Sequence, residues 1–328
     1  MNMALFMQPR IRNPKLAVVD IGTNAVRLLA VEFTGQHKYK TISELRLPVR
    51  LGENMYGSKI ISSSAMQRAA SACRRIARLS RKLGITRTVA VITADGREAR
   101  NAGELAGKIR SKAGITPVIL SSRREAKLVY AGVTGGITPG RKSILAIEIG
   151  GGSTELAAGQ GNKCEQAMAL SIGAVKMKHL YPATGGETPL PEPEYCRMVA
   201  MLEKKLRPRL KSLAGRRYGL ALGSAGTVRA MADIIARFSR NPAKPPDKIS
   251  SRQVRNAARM LCALPLAQRK RLLKIQPDRA DIILGGAAIL EALMWILKIR
   301  SIRISRNGLR EGLVLEAYPA LAAGNKSL

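Results

Sequence analysis

The sequence predicts an α/β protein built of two similar lobes that face each other across a cleft. Three observations carry that prediction. First, Ala17-Val18-Val19-Asp20-Ile21-Gly22-Thr23-Asn24 and Leu145-Ala146-Ile147-Glu148-Ile149-Gly150-Gly151-Gly152-Ser153-Thr154-Glu155-Leu156 share one design, an apolar run that delivers an acid into a turn of small residues. The offset is constant, with Asp20 matching Glu148, Gly22 matching Gly150 and Leu28 matching Leu156. Second, strand-like segments followed by alternating helix and strand patterns recur after each copy, as in an α/β lobe. Third, 328 residues suffice for two domains, each with its own core.

In order along the chain, Leu16–Ile21, Val26–Phe33 and Tyr39–Val49 read as a three-stranded meander. Ser62-Ser63-Ser64 caps a helix that runs to about Leu83 and is closed by Gly84. Its cations Arg68, Arg74, Arg75, Arg78, Arg81 and Lys82 leave Ala, Met and Leu for the packed side. A strand at Thr88–Thr93, a helix at Arg97–Ala113, a strand at Thr116–Leu120 and a helix from Arg123 complete the first lobe. The second repeats the order with strands Ser143–Ile149, Thr154–Ala158 and Glu165–Leu170, then a helix at Ala174–Leu180. A Pro/Gly-rich loop, a long basic helix at Glu194–Leu213 and a strand at Tyr218–Leu222 follow. That strand enters Gly223-Ser224-Ala225-Gly226-Thr227 and a helix to about Phe238, a third strand–glycine–helix junction. A proline loop at Asn241–Pro246 precedes helices near Arg252–Leu261, Leu266–Leu273 and Arg279–Leu297, a strand at Ser301–Ile304 and a terminal helix.

The chemistry follows from the turns. Glycines let backbone N–H groups approach phosphate oxygens that side chains would fend off. The carboxylates beside them cannot bind phosphate but can hold a Mg²⁺ that does. The junction at Gly223–Thr227 offers a helix N-terminus for an anion, or simply a tight turn that needs small residues.

Composition narrows the partners. Lys and Arg number 56 against 22 acids, a net charge of +34, which points to a polyanion. Aromatic residues make up only 3%, against a stacking platform for single strands, and no helix-turn-helix or zinc pattern supports specific nucleic-acid binding. From Arg240 to Arg279 there are eleven basic residues against two acids, and Arg252, Arg255 and Arg259 share one helix face as a candidate polyanion track. Four scattered cysteines show no metal or redox spacing, and His37 and His179 read as surface or loop residues. The longest apolar run, Ile282–Leu297, contains Glu291 and is short for a membrane span, so it reads as a buried helix in a cytoplasmic protein with no membrane partner.

Five motifs in register carry a resemblance: Val19-Asp20-Ile21-Gly22-Thr23-Asn24, Glu125-Ala126-Lys127-Leu128-Val129-Tyr130, Ile149 to Glu155, Gly223 to Thr227 and Gly308-Leu309-Arg310-Glu311-Gly312. Thr93…Arg97…Ala99…Asn101 and Arg279-Ala280-Asp281 accompany them. Together they resemble the exopolyphosphatase/guanosine pentaphosphate phosphatase family, in its short two-domain form. The resemblance implies two actin-like (ribonuclease H-like) domains, divided at 1–130 and 131–328, with helical insertions in the second and the last helix packing back on the first. It also implies Mg²⁺-dependent hydrolysis of a terminal phosphoanhydride, with Mn²⁺ as the alternative metal and a homodimer as a common state. Residue by residue, Glu125 matches the catalytic glutamate that primes water, and Arg97 the active-site arginine. Asp20, Glu148 and Glu155 match the acids for metal and water. Thr23, Asn24, Gly151, Gly152, Ser153, Ser224, Gly226 and Thr227 would cradle phosphates. The bland alternatives are an exposed helix-start glutamate for Glu125 and a surface ion pair for Arg97.

Two residues depart from the family pattern. Glu148 stands where the family usually has Asp, so its carboxylate reaches one methylene further. Arg124 stands where an acid is common, and a cation there would lower the pKa of Glu125 and weaken it as a base. Inorganic polyphosphate is the expected substrate and guanosine pentaphosphate the alternative. A polyphosphate-binding regulator with little turnover is the reading of another class.

Overall fold

The structure is a computed structural model that describes residues 13–35, 38–53, 55–138, 140–238, 245–273 and 276–323. His37 and most of the expected proline loop at 241–246 lie outside the described residues.

The first domain opens with β1 (Lys15–Ile21), β2 (Ala25–Gly35) and β3 (Lys38–Pro48), an antiparallel meander. Then come α1 (Ser63–Lys82), β4 (Arg87–Ile92), α2 (Ala94–Glu98), α3 (Ala102–Ala113), β5 (Val118–Ile119) and α4 (Ser122–Gly135). The second contains β6 (Ser143–Ile149), β7 (Thr154–Gln160), β8 (Lys163–Leu170), α5 (Ala174–Leu180), α6 (Glu192–Leu206), α7 (Lys211–Ala214), β9 (Leu220–Ser224) and α8 (Ala225–Arg237). It continues through β10 (Lys248–Ser250), α9 (Ser251–Cys262), α10 (Leu266–Leu272), α11 (Ile283–Ile296), β11 (Ser301–Ile304) and α12 (Leu309–Ala322).

The sheets have one topology. The first runs β3-β2-β1-β4-β5, with β1, β4 and β5 parallel. The second runs β8-β7-β6-β9-β11 in the same sense and adds β10 antiparallel at the edge. This is the ribonuclease H-like order twice over, the two similar lobes expected from the repeated motif and the actin-like architecture that the resemblance implies. The repeat extends to register, with Asp20 opposite Arg27 and Glu148 opposite Glu155. It extends to the turns as well, which close through Gly22 N–H to the Ala25 carbonyl (3.2 Å) and Gly150 N–H to the Ser153 carbonyl (2.9 Å).

Helix α1 follows the expected pattern, with Ser62 capping the Ala65 N–H at 3.2 Å and Gly84 left-handed at φ +66. Its apolar face, Ala65 through Ala77, joins β1 and α3 in the first core. Helices α9 and α11 and the sheet form the second core. A third cluster lies between the domains, where α4 and α12 pack against Leu16, Val18 and Leu29 of the first sheet and Ile144 and Ala146 of the second. Residue 130 lies within α4, and α12 packs against α4, β1 and β2. A Cβ on Gly132 would lie 1.9 Å from the Gly308 carbonyl oxygen, so glycine sets the distance between α4 and the start of α12.

Several expected elements differ. The helix at Arg97–Ala113 is two, because Asn101 accepts from Ile61 N–H and donates to the Ile61 carbonyl, each at 3.0 Å, and Ala99 is extended. The basic helix ends at Leu206 rather than Leu213, because Pro208 has no N–H to continue it. The helix expected from Arg279 begins at Ile283, after a short 3₁₀ turn at 277–279. The strand at Thr116–Leu120 shrinks to Val118–Ile119, and the one at Tyr218–Leu222 is shifted to Leu220–Ser224. β10 had no sequence signal beyond one isoleucine between polar residues. Helix α11 is buried almost all round, with Trp295 its exposed residue. No helix among the described residues is long and apolar enough to cross a membrane.

Candidate active site

The two repeated turns meet at one cleft. Asp20, Thr23, Asn24 and Ala25 from the first domain line it with Glu148, Gly150, Gly151, Ser153 and Glu155 from the second, around a narrow cavity of ≈ 50 Å³. Glu125, from the first turn of α4, completes the wall.

Each half positions its acid by the same device. Asp20 ends β1 and accepts a hydrogen bond from the Thr93 hydroxyl at 3.2 Å, where β4 finishes. Glu148 ends β6 and accepts from the Ser224 hydroxyl at 2.5 Å, where β9 finishes. The residue after each hydroxyl, Ala94 at φ +40 and Ala225 at φ +63, is left-handed without being glycine and lines the cleft. Such strain persists only where the surroundings over-determine it, and it clusters at functional sites.

Glu125 is buried, with 5% of its surface exposed, so the bland reading of an exposed helix-start glutamate is set aside. Ser121 caps α4, and the backbone N–H of Glu125 bonds the Ser121 carbonyl at 2.9 Å. Arg97 Nη1 reaches Glu125 Oε2 at 2.5 Å and also donates to the Leu120 carbonyl at 2.9 Å. Arg97 thus fixes the orientation of Glu125. Burial pushes the Glu125 carboxyl up to about 7 despite the Arg97 guanidinium, and Asp20 and Glu148 add to the rise. Arg124, expected to lower Glu125 from its place beside it in the chain, does not act on it. Its side chain turns outward to Glu316 at 2.9 Å.

Asp20, Glu148 and Glu155 are also raised, with burial the leading cause for each. Three buried carboxylates and the half-buried Glu148 around one cavity crowd acids together in a way that a hard divalent cation would relieve, and the oxygen donor set suits Mg²⁺. Among the described residues no three acids converge as a ready-made metal cage. Mg²⁺ is commonly held by one or two carboxylates, waters and substrate phosphates, so the two observations agree.

The expected phosphate cradle is partly engaged elsewhere. The Ser153 hydroxyl donates to Glu155, and Asn24 donates to Asp278 across the cleft at 3.3 Å. Thr23 Oγ1 accepts from the Asp95 N–H at 3.4 Å, and Gly152 lies against the Asp95 carboxylate. Gly226 is covered, since a Cβ there would lie 1.9 Å from the Arg279 guanidinium, and Thr227 is buried against Gly286. At that junction the small residues make room for Arg279. Arg255 and Arg259 pair with Glu291 (3.2 Å) and Glu192 (2.7 Å), and neither they nor Arg252 line the cleft.

The cations that do reach the cleft were not singled out as site residues. Arg27 and Arg279 line it and also line an adjoining chamber of ≈ 240 Å³ with Arg46, Arg229 and Arg310. Arg27 had one sequence signal, because it occupies in the first repeat the position of Glu155 in the second. Arg46 holds Asp278 through two bonds, at 3.0 and 2.6 Å, and so ties β3 to the second domain. Arg310, nearly buried, donates to the Leu28 carbonyl at 3.0 Å and pairs with Glu44 at 3.2 Å.

Comparison with known proteins agrees with this architecture. A family model described as the Ppx/GppA phosphatase family matches residues 30–321. The structure of the Aquifex aeolicus member of the Ppx/GppA family matches with a TM-score of 0.76 at 23% identity, covering 96% of this chain and 99% of that one. An exopolyphosphatase from Cytophaga hutchinsonii matches with a TM-score of 0.83 at 21% identity, covering 95% of this chain and 99% of its own. The doubled sheet topology, the four acids at one cleft and a match over most of the length converge: the chain belongs to the Ppx/GppA phosphatase family and is a phosphoanhydride hydrolase.

Proposed function

We propose that the protein is an exopolyphosphatase that removes the terminal phosphate of inorganic polyphosphate. The observation that carries this reading is the arginine-lined chamber that shares Arg27 and Arg279 with the acid-lined cleft. A chain of repeating negative charges suits five guanidiniums, which outnumber the one acid of the lining, Glu44, itself paired with Arg310.

Glu125 orients a water molecule and accepts its proton as the water oxygen attacks the terminal phosphorus. The bond from that phosphorus to the bridging oxygen breaks, releasing orthophosphate and a chain one unit shorter. A carboxylate whose pKa stands near 7 suits a base working at neutral pH. Arg97 keeps its carboxylate aimed, and Arg27 and Arg279 offset charge on the departing chain. One or two of Asp20, Glu148 and Glu155, with waters and substrate phosphates, would hold Mg²⁺, with Mn²⁺ as the alternative. When bound, the metal would neutralise phosphoryl oxygens.

A second reading, hydrolysis of guanosine pentaphosphate, has one observation in its favour. A pocket of ≈ 270 Å³ shares Asn24 and Ile282 with the cleft and includes Tyr56 and His179, whose rings lie 5.0 Å apart. An aromatic lining of that kind could receive a base. Phosphate release from long-chain polyphosphate and from guanosine pentaphosphate, each with and without Mg²⁺, separates the two. Preferred turnover of the nucleotide would replace the first reading. Tight, salt-sensitive polyphosphate binding without release from either would make the protein a regulator.

A further inference from the structure

We infer that the second domain carries a separate polyanion-binding groove on the face opposite the cleft, which takes a distal stretch of the same polyphosphate chain. The inference rests on the polyphosphate reading above. The groove, of ≈ 930 Å³, runs along the starts of β9 and β11 and the turn after α11. Strand β9 begins there at Leu220 and ends in the cleft at Ser224, four residue steps or roughly 13 Å through the sheet.

Arg217, Lys248, Lys298, Arg300 and Arg303 line the groove and are all exposed, with Asp247 the single acid beside them. Arg216 lines it too but is paired with Glu165 at 3.0 Å. Among the described residues the other five form no ion pair, unlike surface arginines such as Arg68 and Arg124, which reach Glu53 and Glu316. Lys248 and Arg303 stand directly opposite each other on β10 and β11. Like charges in that position repel unless an anion lies between them. A lysine on an edge strand also guards against sheet-to-sheet pairing, which accounts for Lys248 but not for Arg303 on the inner strand. Lys298 adds its charge from a left-handed residue at φ +53, where glycine would sit without strain.

The volume of the groove, ≈ 930 Å³, is far larger than one phosphate requires. A chain whose end lies in the cleft has the rest of its length free, and a second contact on the same molecule raises the effective concentration of that end. The consequence is an affinity that grows with chain length through residues that never touch the reacting phosphate.

The test compares wild type with the triple variant Arg217→Glu, Lys248→Glu, Arg303→Glu, and with the corresponding Gln triple should charge reversal impair folding, as judged by thermal melting. KM for long-chain polyphosphate is expected to rise at least about ten-fold, while kcat and KM for tripolyphosphate stay at wild-type values. The salt dependence of long-chain binding should also become shallower. Equal changes for long and short chains, or none for either, would overturn the groove. Direct binding of long-chain polyphosphate keeps the test independent of turnover. If the wild type releases no phosphate, the substrate reading falls, while weaker binding by the variant still supports the groove and unchanged binding removes it. Tighter binding of single-stranded RNA of matched charge, lost in the variant, would overturn polyphosphate as the occupant.

Discussion

Glu148 and Glu155 stand directly opposite each other on β6 and β7, in the register where the first domain pairs Asp20 with Arg27. One copy of the repeat thus sets two carboxylates face to face where the other sets acid against base. The two domains share a backbone plan but divide the chemistry. The second sets two acids side by side at the cleft, and the first sets an acid beside a guanidinium.

That concentration of acids has a pH signature. Glu125 is raised from 4.5 to about 7, and Asp20, Glu148 and Glu155 move the same way. Between the unfolded and folded pKa the unfolded chain releases a proton that the folded protein keeps, so stability falls as pH rises through that window. Glu125 alone accounts for about 3 kcal/mol at the top of it. Asp278, held low by Arg46, acts only below its unfolded value of 3.8 and leaves this window untouched. Chemical denaturation in the presence of a chelator should therefore show the protein less stable at about pH 7.5 than at about pH 5. Added Mg²⁺ should recover the stability lost at about pH 7.5 and so shrink the difference. A stability that is flat or rises with pH in chelator would contradict the arrangement of the four acids.

Glu125→Gln should lower the rate of hydrolysis by about 10²–10⁴-fold while polyphosphate binding persists, because the amide keeps the shape but cannot take a proton. Stopped phosphate release and an equilibrium binding measurement decide it together. A variant that turns over normally would remove Glu125 from its role.

Arg97→Ala should also lower kcat, through Glu125 and not through substrate. With the guanidinium gone, the Glu125 carboxyl rises further, since Arg97 is the group that holds it down. The acidic limb of the pH–rate profile should move to higher pH, with KM little changed. A large rise in KM with an unmoved profile would place Arg97 on the phosphate.

Arg46→Ala removes both bonds to Asp278 and one wall of the arginine chamber. The expected loss is about 1–3 kcal/mol of stability, in the range for hydrogen bonds to charged groups, and a higher KM for polyphosphate at similar kcat. Urea melts and steady-state kinetics read the two effects separately.

Gly132→Ala should be among the more damaging single changes far from the cleft. Its added carbon would meet the Gly308 carbonyl oxygen and the Gly312 N–H, both backbone, so the helices must separate. Overpacking of this kind costs about 1–3 kcal/mol, and the displaced Gly308 would crowd Glu148, whose carboxylate leaves no room for a side chain there. A denaturation curve matching wild type would show that α4 and α12 can slide apart freely.

The repeated acid-and-turn motif determined the two-domain α/β plan by itself, because an apolar run ending in an acid and a glycine turn has few ways to fold. It also supplied Asp20, Glu148 and Glu155, since their spacing from the turns is local, whereas Glu125 came from the family resemblance alone. Only the tertiary structure decided where the positive charge works. Arg27, Arg46, Arg229, Arg279 and Arg310 come from five separate segments and meet because β2, β3, α8, the 3₁₀ turn at 277–279 and α12 bring them together. Arg252, Arg255 and Arg259, adjacent on one helix and conspicuous in sequence, instead lie outside the cleft, two of them spent on nearby acids. Helical spacing fixes which side chains share a face, but packing alone determines what that face meets.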